Sequence, residues 1–518
     1  MKGTKLLILL LVGMLAWGGC TRVDFVIPEP VQKEEQNKND NGGSDKPSEN
    51  PENPSEPEGP NDTPEEPENP SDPEGPNDTP NEPQQPDVPD TPTTPQEPET
   101  PATPNEPTYS ARVKWVSSAE ELGGLNLVAG DTVVWRKGVY TDVNISFSAK
   151  GSSTMPIVLT GEKGGEVIFR GASPLAVTGE WVRVENLWWQ NPTKTPITVK
   201  SGSSNVVISE CAITGYDTSI STKDYKWVSL YGRNNKVSNC YFDDKRNMGT
   251  LLVVWMEQNI VPAHTIENNY FSRPNSINNG ENGQETIRIG TSDYSLEDAA
   301  CSVRGNYFYK CDAETEIVSN KSCGNLYEGN LFRASGGVLT LRHGNDCIVR
   351  NNYFLGDKAA NTGGVRIIGE RHLVENNYME NLRGNGYKTA ICIVRGEEDA
   401  ELSGYAQVKG AVVRNNTIVG CRYSLHLNYA NKDSMKMPVI ETTISDNTIY
   451  CTSSSDYAAY VYTSPTPQIT WSENKIYGGK QTGVSLATLS AKPSIPSVKQ
   501  AVEKIENACG PKWKTVIK

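Results

Sequence analysis

The residues best placed to do chemistry lie in the stretch CDAETEIVSNKSCGN, residues 311–325, where Glu314 and Glu316 stand two apart and Lys321 follows five further on. Carboxylates at i and i+2 share one face of a strand, and a pair of them suits a hard cation. A lysine beside them is a base only in its neutral form, which neighbouring cations favour. In VLTLRHG, Leu339 and Leu341 alternate inward, so Thr340 and Arg342 face out. The same parity turns Arg288 outward between Ile287 and Ile289, and Arg366 outward between Val365 and Ile367. In AETEIVS, Thr315 and Ile317 form the expected core pair, which leaves Glu314 and Glu316 outside. Lys321 has the opposite parity, so a corner at Ser319-Asn320 is expected to re-aim it. A solvated charge pair on a regular surface is the competing reading of this cluster.

Positioning such a cluster requires a scaffold, and the sequence supplies one as a repeat. VSNCYF, IENNYF, VRGNYF, YEGNLF, VRNNYF, VENNYM, VRNNTI, ISDNTI and WSENKI recur from residue 237 to residue 476, with an Asn at 269, 306, 330, 352, 377, 416, 447 and 474. The shortest spacings, 22 to 25 residues, leave room for three short strands and no helix. Strands such as VLTLR, GVRII and TIRIG are β-branched and alternating, and Gly and Asn between them suit left-handed corners. The pattern predicts a right-handed parallel β-helix whose corner Asn side chains form a ladder. Leucine-rich repeats share the period but require a Leu consensus that is absent. Ser118 and Glu121 form a capping-box pattern, predicting a short helix over the first coil. VKQAVEKIENACGP, from 498, is an amphipathic element expected to cap the last coil, pack on the side of the solenoid or serve an oligomer contact.

The remaining chain is not core-forming. MKGTKLLILLLVGMLAWGGC has the layout of a secretory signal. Cys20 after Gly18-Gly19 resembles a bacterial lipobox, although Trp17 stands where an aliphatic residue is usual; a plain cleaved signal is the alternative. Residues 21–108 hold 22 of the 34 prolines, and 23 acidic residues against 4 basic give them a net charge of −19. They read as a disordered, self-repelling Pro/Glu-rich spacer. With the two signal lysines also set aside, residues 109–518 carry +3, which permits a polyanionic ligand. The expected organisation is a signal with lipobox over 1–20, the linker over 21–108 and the β-helix over 109–518. The expected location is an exported lipoprotein on the bacterial outer membrane. Ten cysteines follow Cys20 with no CxxC pair, and His264, His343, His372 and His426 are too scattered for a histidine metal site.

The joint pattern of Glu314, Glu316 and Lys321, LRHG with Arg342 21 residues later, and NGQETIRIG at 282–290 resembles polysaccharide lyase family six, the alginate lyases and chondroitinase B. The resemblance covers roughly residues 112–480. It implies a parallel β-helix, Lys321 as the Brønsted base, Arg342 as the acid, and Asn282, Glu314 and Glu316 as ligands of a calcium ion. The expected partner is an acidic polysaccharide, not nucleic acid, with the membrane reached through the Cys20 anchor.

The chemistry so implied is β-elimination. Removing the C5 proton of a uronate builds charge on a carboxylate that already carries one, and a cation with oxygen donors relieves it. Arg342, always charged, is an awkward proton donor and acts through water or by stabilising the departing oxygen. His343 adjoins it and is a candidate to orient substrate. Arg366 is a candidate to hold a second uronate, with Arg288 and Arg395 as weaker substrate contacts. A non-catalytic glycan-binding β-helix argues poorly with Lys321 and Arg342 intact. Hydrolysis needs paired carboxylic groups across the bond, and ETE beside a lysine suits a metal better. Uronate epimerases share the proton abstraction. Alginate is the expected polymer, with dermatan sulfate or chondroitin as the alternative.

Overall fold

The computed structural model describes residues 112–216, 223–274 and 282–517. The chain divides into two units, Met1–Pro98 and Glu99–Lys518, and every described residue lies in the second. The signal segment with Cys20 and the linker therefore lie outside the described residues.

The described chain is a right-handed parallel β-helix. Three sheets of 14, 13 and 13 strands run its length, and each coil contributes one strand to each. One coil reads Tyr270–Ser272, Ile287–Ile289, Ser302–Arg304, after which the chain steps up and repeats. Every strand pairs in parallel with its counterpart one coil away, so like residues stack. Inside, Ile287, Val318, Leu339, Val365, Ile391 and Leu425 are successive register partners. Phe242, Phe271, Phe308, Phe332 and Phe354 form a second stack, with ring centroids 4.4 to 5.2 Å apart.

All eight expected Asn residues join one ladder. Each amide donates to the carboxamide oxygen of the next, from Asn269 to Asn306 at 3.0 Å through Asn447 to Asn474 at 2.9 Å. The same oxygen accepts the backbone N–H of the preceding ladder Asn, as Asn352 does for Asn330 at 2.9 Å. The residue before each rung is left-handed, from Asn268 at φ 55° to Glu473 at φ 50°, which turns the rung inward. Ladder residues from 269 to 447 are buried, so these bonds satisfy groups that water cannot reach.

The ends behave differently. Ser118 caps the helix Ala119–Gly123 by accepting the Glu121 N–H, and Leu122 inserts into the core of the first coil. The C-terminal helix Lys499–Ala508 packs on the flank of the solenoid: Glu506 pairs with Arg333 at 2.9 Å. Beyond it, Trp513 lies against Trp188 at 6.0 Å and its indole N–H donates to the Glu210 carbonyl. The ten cysteines are buried and unpaired.

Replacing Asn330 by Ala removes the oxygen that accepts the Asn306 N–H and the Asn306 side-chain amide, which costs about 2–4 kcal/mol at a buried site. Asn474→Ala, at the half-exposed end of the ladder, costs less. Urea unfolding compares the two, and equal midpoints would remove the ladder from the list of stabilising features.

Candidate active site

The site is built on the sheet that carries the strand Glu316–Lys321. Its outward row runs Arg288, Ser319, Thr340, Arg366, Cys392 and His426 over successive coils. Parity is as expected for the neighbouring strands but not within Glu316–Lys321. The register shifts between Glu316 and Val318, so Ile317 is an extra buried residue and Val318 and Asn320 take the inward positions; Thr315 precedes the strand. The expected corner at Ser319-Asn320 does not exist, because both residues lie inside the strand. A second shift, between Asn320 and Lys321, re-aims the lysine instead. Asn320 points into the core and is fully engaged: its amide donates to the carbonyls of Ser322 and His343, and its oxygen accepts from Asn325 and Tyr327. It thereby ties the ends of the Lys321 and Arg342 strands together. The chain leaves the sheet through glycines: a Cβ on Gly290 would lie 2.6 Å from the Lys321 carbonyl oxygen, and one on Gly344 2.2 Å from that of Ser322.

Carboxylates gather at the start of the strand. Glu314 accepts the Gln284 N–H at 2.6 Å, which brings the loop bearing Asn282 alongside. Glu316 accepts from the Ser319 hydroxyl and lies 3.5 Å from Arg366. Glu285, 1% exposed and not foreseen from the sequence, accepts the Thr250 hydroxyl at 2.7 Å. Burial pushes the Glu314 carboxyl up to about 9, and the charges of Glu285 and Glu316 add to the rise. For Glu285 burial opposes ionisation, yet Arg288 and Lys321 hold it below the usual carboxylate range. Arg273, fully buried, donates to the Glu285 carbonyl and fixes this loop from beneath. No three His, Cys, Asp or Glu side chains among the described residues converge closely enough to hold a metal by themselves. The set read from the sequence counts the amide of Asn282, which is exposed.

Cations gather at the other end. The Lys321 side chain is half-buried and, among the described residues, makes no side-chain hydrogen bond or ion pair. Arg342 donates to the carbonyls of Gly404 at 2.8 Å and Ser403 at 2.9 Å, and lies 4.3 Å over the ring of Tyr405. His343, 4% exposed, sits between Arg342 and the Ser292 hydroxyl, each 3.4 Å from a ring nitrogen. Burial, with Arg342 and Lys321 adding, pushes its imidazole down to about 2, so it is neutral.

Residues 116–477 match the family model described as Chondroitinase B. The chain belongs to that family, polysaccharide lyase family six. A solved family-six alginate lyase, AlyGC, superposes with a TM-score of 0.70 at 28% identity over 77% of this chain, which spans 57% of the length of that structure. A mannuronic acid specific family-six lyase from human gut microbiota gives a TM-score of 0.65 at 26% identity, covering 78% of this chain and 97% of the other. The family-six lyase Pedsa3628 from Pseudopedobacter saltans, at 24% identity and a TM-score of 0.63 over 77% and 99% of the two chains, shares the fold. No curated protein matches the sequence.

Within this family-six scaffold the arginines singled out by sequence fare unequally. Arg288 does face outward, 5.3 Å over Trp255. Arg366 leaves the core as expected but does not reach solvent: it is 3% exposed, 3.7 Å from the Tyr387 ring centroid, and donates to the Tyr405 hydroxyl at 3.2 Å. Its guanidinium is engaged by protein groups where a second uronate was expected. Arg395 is bound to the carbonyls of Asn428 and Ser464. Tyr387 and Tyr405, which close the site, were missed because they come from inserted loops outside the repeat.

All four histidines are buried and depressed, His264 to about 3, His343 to about 2, His372 to about 4, and His426 in the same direction, in each case chiefly by burial. Unfolded imidazoles titrate near 6.5. Below that pH the unfolded chain takes up protons that the folded chain refuses, so this contribution is complete above about 6.5 and is lost toward the folded values. His264, His343 and His372 are each worth about 2 kcal/mol between pH 7.5 and 5. The raised Glu314 acts in the opposite sense, so the clean comparison is between the parent and His372→Asn. Urea unfolding should show the variant losing stability less steeply with acid, and identical slopes would refute the account.

Proposed function

We propose that this protein cleaves a uronate polymer, alginate before others, by calcium-assisted β-elimination. The observation that carries the reading is the polarity of two paired strands, with carboxylates where Glu316–Lys321 starts, Lys321 where it ends and Arg342 at the same end of its neighbour Val338–His343. Between them lies an outward row in which Arg288 Nε, Thr340 Oγ1 and Arg366 Nε are buried without a hydrogen-bond partner. Unsatisfied polar groups at such a place favour a polar ligand over a bare surface.

Asn282, Glu314 and Glu316 fit a hard divalent cation, since all offer oxygen, and such an ion would favour the ionised Glu314 that burial, with the charges of Glu285 and Glu316 adding, disfavours. Glu285 lies beside them. A bound calcium would supply an electrophile for the charge that develops on the substrate carboxylate. Lys321, in its neutral form, is positioned to remove the C5 proton. His343 offers a neutral imidazole beside it, held between Ser292 and Arg342. Arg342 faces the departing oxygen with a permanent positive charge.

Alginate is supported by the alginate lyase AlyGC and by the mannuronic acid specific gut lyase, at 28% and 26% identity. Dermatan sulfate is retained as a second polymer because the matching family model bears the name of a chondroitinase. Export as a lipoprotein anchored through Cys20 rests on the first twenty residues alone.

Elimination leaves a conjugated unsaturated uronate that absorbs in the ultraviolet, and hydrolysis leaves none. The protein mixed with alginate should raise that absorbance, chelation should suppress it, and Lys321→Ala should lower kcat by at least about 100-fold. A rise with dermatan sulfate alone would transfer the reading to that polymer. Absence of any rise with either, while the polymer binds, would replace it with glycan binding.

A further inference from the structure

Lys321 and Arg342 have different surroundings on their two sides along the solenoid axis. The inward residues of the site sheet from Leu230 to Ile393 are register partners, coil upon coil. The residues that follow them form a second outward line beside the row from Arg288 to His426. Lys321, re-aimed by the register shift beside it, and Arg342 stand in the middle of that line. Toward the N-terminal coils it continues through Gly290 to Trp255 and Tyr231, and toward the C-terminal coils through Ile368 to Val394.

On the C-terminal side the line is sealed. Ile368 and Val394 are both 0% exposed, and with Cys392 and Met435 they form an apolar cluster separate from the main core. The cover is the segment inserted between the strands Ile391–Val394 and Val412–Arg414. Paired backbone bonds between Gly396 and Met437, both 2.9 Å, fasten it. It closes on itself as the Glu397 N–H donates to the Tyr405 carbonyl and the Tyr405 N–H donates to the Glu397 carboxylate. Its far end abuts Arg342, whose guanidinium donates to the Ser403 and Gly404 carbonyls. A sugar chain running past Arg342 in this direction meets that backbone. Ile368, the first sealed position, stands one strand spacing, about 4.8 Å, beyond Arg342, which leaves room for about one or two sugars.

On the N-terminal side the line stays accessible among the described residues. Gly290 places no side chain between Lys321 and Trp255, which stand two strand spacings, about 10 Å, apart. Trp255 and Tyr231 are half-exposed and stack with ring centroids 5.7 Å apart and planes 15° from parallel. The Arg288 guanidinium lies 5.3 Å from the Trp255 ring centroid and the Lys226 ammonium 5.9 Å from it. The Trp255 indole N–H is buried without a hydrogen-bond partner. A flat aromatic surface bordered by two cations suits a uronate ring, whose C–H face packs on the indole while its carboxylate meets the guanidinium.

We propose that the cleft is one-sided and the enzyme exolytic. The uronate chain extends from Lys321 over Gly290 onto Trp255 and Tyr231, its end seats against the segment Gly396–Gln407, and each elimination releases a short end fragment. The inference rests on the elimination reading above and adds the cutting mode to it. It also accounts for Arg366, which belongs to the sealed side and is engaged by Glu316 and Tyr405 in place of a second uronate.

The test mixes the full chain with the long polymer that it cleaves and follows viscosity, ultraviolet absorbance and product size together. Absorbance should climb while viscosity stays nearly level, and the first unsaturated products should be about one or two sugars long. At equal mass concentration well below KM, the initial rate should scale with the number of chain ends. Trp255→Ala should raise KM on the polymer about tenfold with kcat within about threefold, because the open side binds the chain without touching the reacting atoms. Matched thermal unfolding of parent and variant shows that the folded molecule is what is compared. An early spread of intermediate oligomers with a steep fall in viscosity would overturn the one-sided cleft, and so would an unchanged KM in Trp255→Ala. In either case unsaturated product keeps the elimination reading intact. A parent that yields no unsaturated product from any uronate polymer would overturn both together.

Discussion

In this solenoid each coil finds its hydrogen-bond partners in the coils before and after it, and the in-register parallel pairing that results governs everything else. A coil cannot bury its own apolar face, so the core exists only as a stack. Stacking in register places like on like: branched aliphatic residues inside the site sheet, phenylalanines on another face, asparagines at one corner. It also dictates the outward row from Arg288 to His426, in which groups far apart in sequence stand one strand spacing, about 4.8 Å, from their neighbours. Glu314, Lys321, Arg342 and Arg366 come from three consecutive coils, and no coil alone holds more than a fragment of the site.

This explains which parts of the molecule were legible in the sequence. The ladder asparagines and the inward pairs Ile287/Ile289, Leu339/Leu341 and Val365/Ile367 repeat at a fixed phase, and periodicity is a local signal that needs no knowledge of the fold. Lys321 was found by type and spacing, but the reason for its orientation was misread. Nothing in EIVSNK distinguishes a strand with two register shifts from one that ends in a corner, because the shifts are set by pairing with Val338–His343 and by the inward bonds of Asn320. Glu285 was passed over for a similar reason: it precedes the alternating IRI, so parity says nothing about it, and only the fold shows it buried beside Glu314. Tyr387 and Tyr405 belong to insertions where the period lapses, and an insertion announces its length but not where it folds.

The departures from regularity are therefore where the proposed site is built. A regular coil presents a flat strand face, on which Glu316 and Lys321 would be solvated and weak in their influence on one another. The inserted segments change the medium. Gly396–Gln407, braced against Met435 and Met437, lies over the site sheet and makes a small second core with Ile368, Cys392 and Val394. Under it Arg366 becomes 3% exposed and His343 4%. Charges brought out of water interact more strongly, but each must be matched, because an unpaired buried charge is costly.

The matching is incomplete in an informative way. Arg366 has Glu316 on one side, Tyr387 beneath and the Tyr405 hydroxyl at its edge, yet its Nε lacks a partner, as does the Nε of Arg288. At the carboxylate end the deficit has the opposite sign: Glu314 resists ionisation chiefly because it is buried, and the charges of Glu285 and Glu316 add to the effect. A purely structural network would be expected to relieve such mismatches, since one substitution at the outward row would remove an orphaned donor at no cost to the stacked core. The sheet instead keeps excess negative charge at one end of a strand and unsatisfied donors and cations along the rest. On the proposed reading, an anionic sugar chain and a cation together would satisfy both ends, and neither alone would.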